Sequence, residues 1–223
     1  MLIRNKPFAT IDDLSIHLVK KNSKVLDLGC NKGNLGKIMT KRLNSKVIGV
    51  EINKKNAQLA KTKLEKVIVG NIENKTIQSE IIKNGPYDVI FASAIIEHLV
   101  NPSLTIKLLN KSLKSNGFWI ITLPNIAHWS ARLLILSGNF EYQESGIFDK
   151  THLHFYTFKS AYEFLIQDCN LNIISFDYEL TKIPILNRFF SLLPIYGPWT
   201  QSLICRRFPN FFAYQFIFKG QPK

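Results

Sequence analysis

Three histidines, His128, His152 and His154, fall within one stretch of 27 residues, 128–154. A positioned imidazole is the commonest side chain for taking a proton from an oxygen nucleophile. His152 and His154 are two apart, so on an extended segment both point to one face. With Asp149 the same spacing also permits a metal cluster, but two histidines and a distant acid make a thin ligand set, and no metal is expected. A structural hydrogen-bonding role stands beside the catalytic one for each histidine. A second group lies earlier, in KVLDLGCNKGNLG, Lys24 to Gly36. A glycine-rich turn between a strand and a helix lets backbone approach a ligand closely, and the helix N-terminus favours an anion. Glu51 follows about 20 residues on, where a strand-end carboxylate can accept both hydroxyls of a ribose. Turn and acid together point to a nucleoside-containing cofactor.

Elements must hold these groups in place. Val25, Leu26 and Leu28 suit a buried parallel strand, and a helix is expected over 34–44. A second strand is expected over 46–52, then a helix capped by Asn53, then strands over 67–72, 87–95 and 118–123. Thr10 is expected to cap a first helix running to about Lys21. Pro102 opens a later helix that Gly117 is expected to stop, with Leu108, Leu109 and Leu113 on its apolar side. Thr157 caps another helix, and further strands are expected over 173–178 and 212–218. Alternating strand and helix implies a parallel sheet with right-handed crossovers. Ligands bind such sheets at the carboxyl ends of the strands, where Gly29, Glu51, Asn71, Ser93 and Asn125 would converge.

The order Asp27-Leu28-Gly29-Cys30-Asn31-Lys32-Gly33 lacks the middle glycine of a dinucleotide fingerprint, and Asn31 stands there. Asparagine tolerates a left-handed backbone better than most residues, but a pyrophosphate would be crowded. The segment resembles the first motif of class I S-adenosylmethionine (SAM) methyltransferases, D-x-G-x-G-x-G, with Asn31 a departure. YDVIFASAIIEHLVNP resembles the fourth motif of the small-molecule enzymes of that family. P-N-x-x-H-W with DKTHLHFYT resembles a bacterial group of lipid- or sugar-directed O-methyltransferases and methionine-biosynthesis W proteins. The resemblance covers roughly residues 22 to 170. It implies an α/β, doubly wound, mostly parallel seven-stranded sheet of the Rossmann-like kind, with an insertion before an antiparallel last strand. It implies S-adenosyl-L-methionine as cofactor, held by Asp27, Gly29, Cys30, Gly33, Glu51, Ile52, Asn71, Ile72, Ser93 and His98. Asn71 would accept from the adenine amino group where the family usually has Asp; a turn-forming role stands beside that one. Glu97 and His98 come near the site by the same resemblance, and His98 also has a reading as a packing residue.

One domain is expected over residues 1–223, with 46% hydrophobic residues to build its core. Residues 125–156 are too long for a simple connection and read as a lid or acceptor wall. The net charge of +13 invites a nucleic-acid or anionic-membrane reading, yet the lysines are scattered as on a solvated exterior, and no nucleic-acid partner is expected. Met1 to Asp13 lacks the apolar core of a leader, and Cys30, Cys169 and Cys205 form no C-x-x-C pair, so a reducing cytoplasm is expected. Residues 183–210 are apolar, broken by Pro184, Pro194 and Pro198, and carry Arg188, Arg206 and Arg207. They read either as packing back on the domain or as a peripheral contact with the inner face of a membrane and its lipid-linked acceptor. The expected activity is O-methylation of a small-molecule, sugar or lipid-linked acceptor. The alternative is a non-catalytic partner protein of a methionine-biosynthesis acyltransferase.

Overall fold

Leu26 and Leu28 face one side of β1 (Lys24–Leu28) and Val25 the other, and all three are buried. A central parallel strand needs that two-sided burial. The structure, a computed structural model, describes residues 9–181 and 197–223, without the side chains of 197–201. Among the described residues seven strands form one sheet in the order β3-β2-β1-β4-β5-β7-β6. β2 (Lys46–Glu51), β3 (Lys66–Val69), β4 (Tyr87–Ser93) and β5 (Leu113–Pro124) join β1 in a parallel block. β7 (Ala213–Pro222) runs antiparallel between β5 and β6 (Leu171–Leu180). The doubly wound sheet with an antiparallel last strand is therefore as expected.

Helices cover both faces. α1 (Ile11–Ile16), α2 (Asn34–Leu43) and α3 (Lys54–Lys61) bury Leu14, Met39, Ala57 and Ala60 against Val25, Val89 and Phe91. α4 (Lys75–Lys83), α5 (Pro102–Leu109) and α7 (Phe158–Glu163) bury Ile81, Ile106 and Ala161 against Leu26, Ile90 and Trp119. Thr10, Asn53 and Thr157 cap their helices through side-chain oxygens, as their positions suggest, each cap being worth about 1 kcal/mol. α6 (Trp129–Leu136) lies in the long connection after β5; α8 (Gly197–Arg207) and α9 (Pro209–Phe212) precede β7.

Several boundaries differ from expectation. The first helix stops at Ile16 rather than Lys21. β3 ends at Val69, because Gly70 turns the chain at φ +156°. β4 ends at Ser93, because Ala94 sits in the left-handed region at φ 48°. α5 ends at Leu109 and Leu113 already belongs to β5, paired with Tyr87. Gly117 is thus a strand residue, not a helix stop, and a Cβ there would meet the Tyr87 carbonyl at 2.9 Å. Pairing with β4 outweighs the weak helical pattern of NKSLKSNG. The helix α4 has no counterpart in the sequence reading, which named none between the third and fourth strands.

Candidate cofactor and acceptor site

The strand order reverses between β1 and β4, so a crevice opens there at the carboxyl edge. A cavity of about 460 Å³ occupies it. Gly29, at φ 69°, forms its floor; a Cβ there would lie 3.0 Å from Ile95 Cδ1, on the opposite wall. Asn31 takes the left-handed conformation at φ 49°, which its position in place of a glycine demanded. Its amide donates to Glu51 Oε2 at 2.8 Å, while Asn53 N donates to Glu51 Oε1 at 2.7 Å. The acid at the end of β2 thus braces the glycine turn, and each oxygen keeps a lone pair for a ligand hydroxyl.

Asn71, Ile52 and Ile72 also line the cavity. Ile52 is 65% exposed while Ile72 is buried, which leaves an apolar slot with one open side. Asn71 Oδ1 accepts from Glu73 N at 2.9 Å, so it makes the turn the sequence allowed while keeping its second lone pair. Glu73, which the sequence reading did not single out, accepts from the amides of Val100 at 3.0 Å and Asn101 at 2.7 Å. It closes the cavity wall between the ends of β3 and β4, and no local pattern marks it for that role.

Four of the proposed cofactor residues stand behind this wall rather than on it. Cys30 packs under β2, where its Sγ would lie 2.5 Å from a Cβ on Gly49. Gly33 caps α2 at φ 70° and packs on Ala60. Ser93 Oγ lies 3.2 Å from Thr122 Oγ1, tying β4 to β5. Asp27 is buried under the turn, and its Oδ2 has no hydrogen-bond partner among the described residues. Burial, with Asp12 and Glu51 adding negative charge, pushes its carboxyl up to about 7. Asn125, expected at the ligand edge, instead donates to the Ala213 carbonyl at 2.8 Å and is fully buried.

The histidines separate sharply. His128, 2% exposed, is the N-cap of α6. Ser130 N donates to its Nδ1 at 3.4 Å, so Nε2 carries the hydrogen and donates to Thr181 Oγ1 at 2.7 Å. Burial pushes this imidazole down to about 4. It is a neutral tether with both nitrogens occupied, which fits the structural role that stood beside the catalytic one. His154 Nε2 donates to the Leu99 carbonyl at 2.9 Å. His152 is buried; its Nδ1 donates to the Ile147 carbonyl at 3.2 Å and its Nε2 lies 3.8 Å from Glu97 Oε1. Burial first, and then His98, hold the His152 pKa below the usual histidine range.

His98 is the histidine that lines the cavity among the described residues. It ends the 3-10 turn Ile96–His98 after β4, and its ring centroid lies 4.7 Å from that of His152. Glu97 beside it is 0% exposed, and neither carboxylate oxygen has a hydrogen-bond partner among the described residues. Burial, reinforced by Asp149, pushes this carboxyl up to about 8, so the neutral acid is its ordinary form. Donor-capable atoms of Glu97, His98 and His152 lie within 4.8 Å of one another. The group that the spacing had suggested, Asp149 with His152 and His154, does not assemble. The Glu97 carbonyl accepts from Leu153 N at 2.8 Å and His154 N at 3.1 Å, docking residues 147–154 onto the turn.

Comparison with known proteins agrees with this geometry. Over 106 residues the chain is 37% identical to a ubiquinone biosynthesis O-methyltransferase of Pelagibacter ubique, across 47% of this chain and 43% of that protein. The chain thus spans less than half the length of that relative. In fold it resembles a magnesium protoporphyrin IX methyltransferase of Synechocystis solved with bound SAH: 13% identity, 95% of this chain, 82% of the other, TM-score 0.62. A [4+2]-cyclase resembles it almost as well: 12% identity, 95% and 80% coverage, TM-score 0.59. The fold therefore hosts more than one chemistry. A family model described as a methyltransferase domain matches residues 4–175, well over half of the 223, and the chain belongs to that methyltransferase family.

Proposed function

We propose that the protein binds SAM in the cavity and transfers its methyl group to an oxygen of a small-molecule acceptor. The observation that carries this reading is the braced glycine turn, with Glu51 fixed at the cavity edge by two backbone amides. Glu51 would take the ribose hydroxyls, and Ile52 and Ile72 the faces of a flat base, with Asn71 at its polar edge. Gly29 leaves room for the chain that leads to the sulfonium. Asp27, with a buried oxygen that is unpartnered among the described residues, would in its ionised form favour a ligand bearing positive charge. When bound, SAM supplies a methyl group that is already activated. The protein's own task is then to align the nucleophile, exclude water and remove a proton.

The acceptor would meet the cavity from residues 125–156. The exposed face of α6 carries Leu133, Ile135 and Leu136, the last 82% exposed, and α8 adds Leu203. Arg132 lies over the ring of Phe211 in α9 at 5.6 Å, joining these helices. α6 and α8 contain arginines, and none of α6, α8 and α9 contains an acidic residue. That composition supports a lipid-linked acceptor and peripheral contact with an anionic membrane. The stretch 183–196 of the apolar insertion, including Phe189 and Phe190, lies outside the described residues. No helix among the described residues is long and apolar enough to cross a membrane.

Calorimetry with SAM and S-adenosylhomocysteine tests the cofactor, and transfer from labelled SAM into cell-extract metabolites tests the activity. Binding of both nucleosides with transfer to an oxygen supports the reading. Binding without any transfer, together with co-purification of an acyltransferase, would instead favour a non-catalytic partner. Co-sedimentation with anionic vesicles at low salt tests the membrane contact, and absence of binding removes it.

A further inference from the structure

We propose that His98 is the general base of the transfer, receiving the acceptor's hydroxyl proton at Nε2, with Thr151 and Asp149 positioning its ring. The inference rests on the methyl-transfer reading given above. It follows from hydrogen-bond accounting. Thr151 Oγ1 has a single hydrogen, and it donates to Asp149 Oδ1 at 2.6 Å. Towards His98 Nδ1, 3.0 Å away, that hydroxyl can then only accept. The Thr151 carbonyl, 3.1 Å from the same nitrogen, can also only accept. Nδ1 therefore carries the hydrogen, and the lone pair of the neutral ring lies on Nε2. The network assigns this tautomer, as carboxylate, hydroxyl and imidazole in series.

The other side of the ring fits the same assignment. His152 Nδ1 faces a carbonyl and must donate, so its Nε2 accepts, and a neutral Glu97 is the partner compatible with it. His98 thus has uncharged His152 and Glu97 on one side and the Asp149 carboxylate, through Thr151, on the other. Although slight burial opposes it, the bonds from Thr151 and the nearby His152 and His98 hold Asp149 below the usual carboxylate range. An anion fixed there favours the imidazolium that forms when the ring takes a proton. The competing histidines lack this arrangement, because His128 and His154 spend Nε2 as donors and the Nε2 of His152 faces Glu97.

The step balances. The acceptor O–H bond breaks and its proton goes to His98 Nε2. The oxygen's electron pair forms the new bond to the methyl carbon. The pair of the broken S–C bond stays on sulfur, which becomes a neutral thioether. The imidazolium then returns its proton to water.

The test uses the full chain, labelled SAM and 3,4-dihydroxybenzoate as the probe acceptor. His98→Gln should lower kcat by roughly 10²–10⁴-fold, the usual range for a lost general base, with affinity for S-adenosylhomocysteine within about threefold. Added imidazole should restore part of the activity of His98→Ala, which a purely structural role would not allow. Thr151→Val should move the acid limb of the kcat–pH profile to lower pH, because the ring loses its link to the Asp149 anion. Nitrogen-15 histidine spectra of the S-adenosylhomocysteine complex should show Nδ1–H on His98, and Thr151→Val should disturb that tautomer; this arm decides even if the probe acceptor is not turned over. Wild-type kcat in a folded His98→Gln, or Nε2–H on His98, overturns the inference and leaves SAM binding standing. Activity lost to a chelator and restored by a divalent cation also overturns it, giving the cluster to a metal. Failure to bind SAM at all sinks the functional reading itself.

Discussion

On the side formed by the ends of β1, β2 and β3, the cavity wall is mostly backbone: the glycine turn, the amides of Asn31 and Asn53 on Glu51, and the turn of Asn71. On the side formed by residues 94–100, the lining residue His98 is backed mostly by side chains: Thr151, Asp149, Glu97 and His152. Contacts of the first wall span 20 residues or fewer, as with Asn31 to Glu51. The contacts that dock the second onto the turn after β4 are longer in sequence, as with His98 to Thr151, 53 residues apart. The first wall suits a ligand that never changes, since backbone positions tolerate exchange of most neighbouring side chains. The second is free to vary in chemistry while the docking of Leu153 and His154 on the Glu97 carbonyl holds its shape.

The sharpest way to break this contrast is at Gly29. Gly29→Val places a branched side chain at φ 69° and 3.0 Å or less from Ile95. Calorimetry should find no SAM binding, a loss of at least about a thousandfold if strain and a filled floor each cost about 2 kcal/mol. Affinity close to wild type would mean that the cavity is not the cofactor site. Next in size is Glu51→Gln. It keeps the shape but weakens two backbone bonds and the ribose acceptors, so SAM affinity should fall by roughly 1–3 kcal/mol. Unchanged affinity would separate Glu51 from the ligand and leave it only a brace for the turn.

Legibility in the sequence follows the same division. The glycine turn, Glu51 and the strand periods were readable because each rests on local rules of backbone and burial. Ala94 was not, since nothing in an alanine announces a left-handed backbone, and the strand was expected to continue to Ile95. The histidines were visible as a group, but their roles were not. His128 looks like His152 until Thr181, 53 residues away, is placed on its ring. Asn125 likewise looked like a ligand-edge residue until β7 took its amide. Nor did the apolar stretch 102–113 reveal that it splits into a helix and the start of β5, because only pairing with Tyr87 decides that.

His128→Ala probes whether the acceptor side can be loosened without touching the cofactor side. The substitution removes the cap of α6 and leaves Thr181 Oγ1 without its donor. Stability should fall by about 1–3 kcal/mol, read as a drop of roughly 3–10 °C in Tm for a chain of this size. SAM affinity should stay within about twofold. A matching loss of SAM affinity would show that the two walls are mechanically one.

The smallest effect expected concerns Glu97, and it tests whether the buried acid is neutral. Its folded pKa, about 8, lies above the ordinary value of 4.5. Between those values the folded chain holds a proton that the unfolded chain has released. Fewer protons in the unfolded state mean that stability falls as pH rises through that window. Below about pH 4 both states are protonated and the term vanishes. The full slope for one group is 1.36 kcal/mol per pH unit, but Glu97 lies beside His152 and titrates coupled to it, so about 1 kcal/mol between pH 6 and pH 8 is the expected contribution. Glu97→Gln fixes the neutral form in nearly the same shape. Urea unfolding at the two pH values should therefore show a smaller fall in stability for the variant than for the wild type. An equal fall would mean that Glu97 is ionised in the folded chain, and the neutral partner assigned to His152 would be wrong.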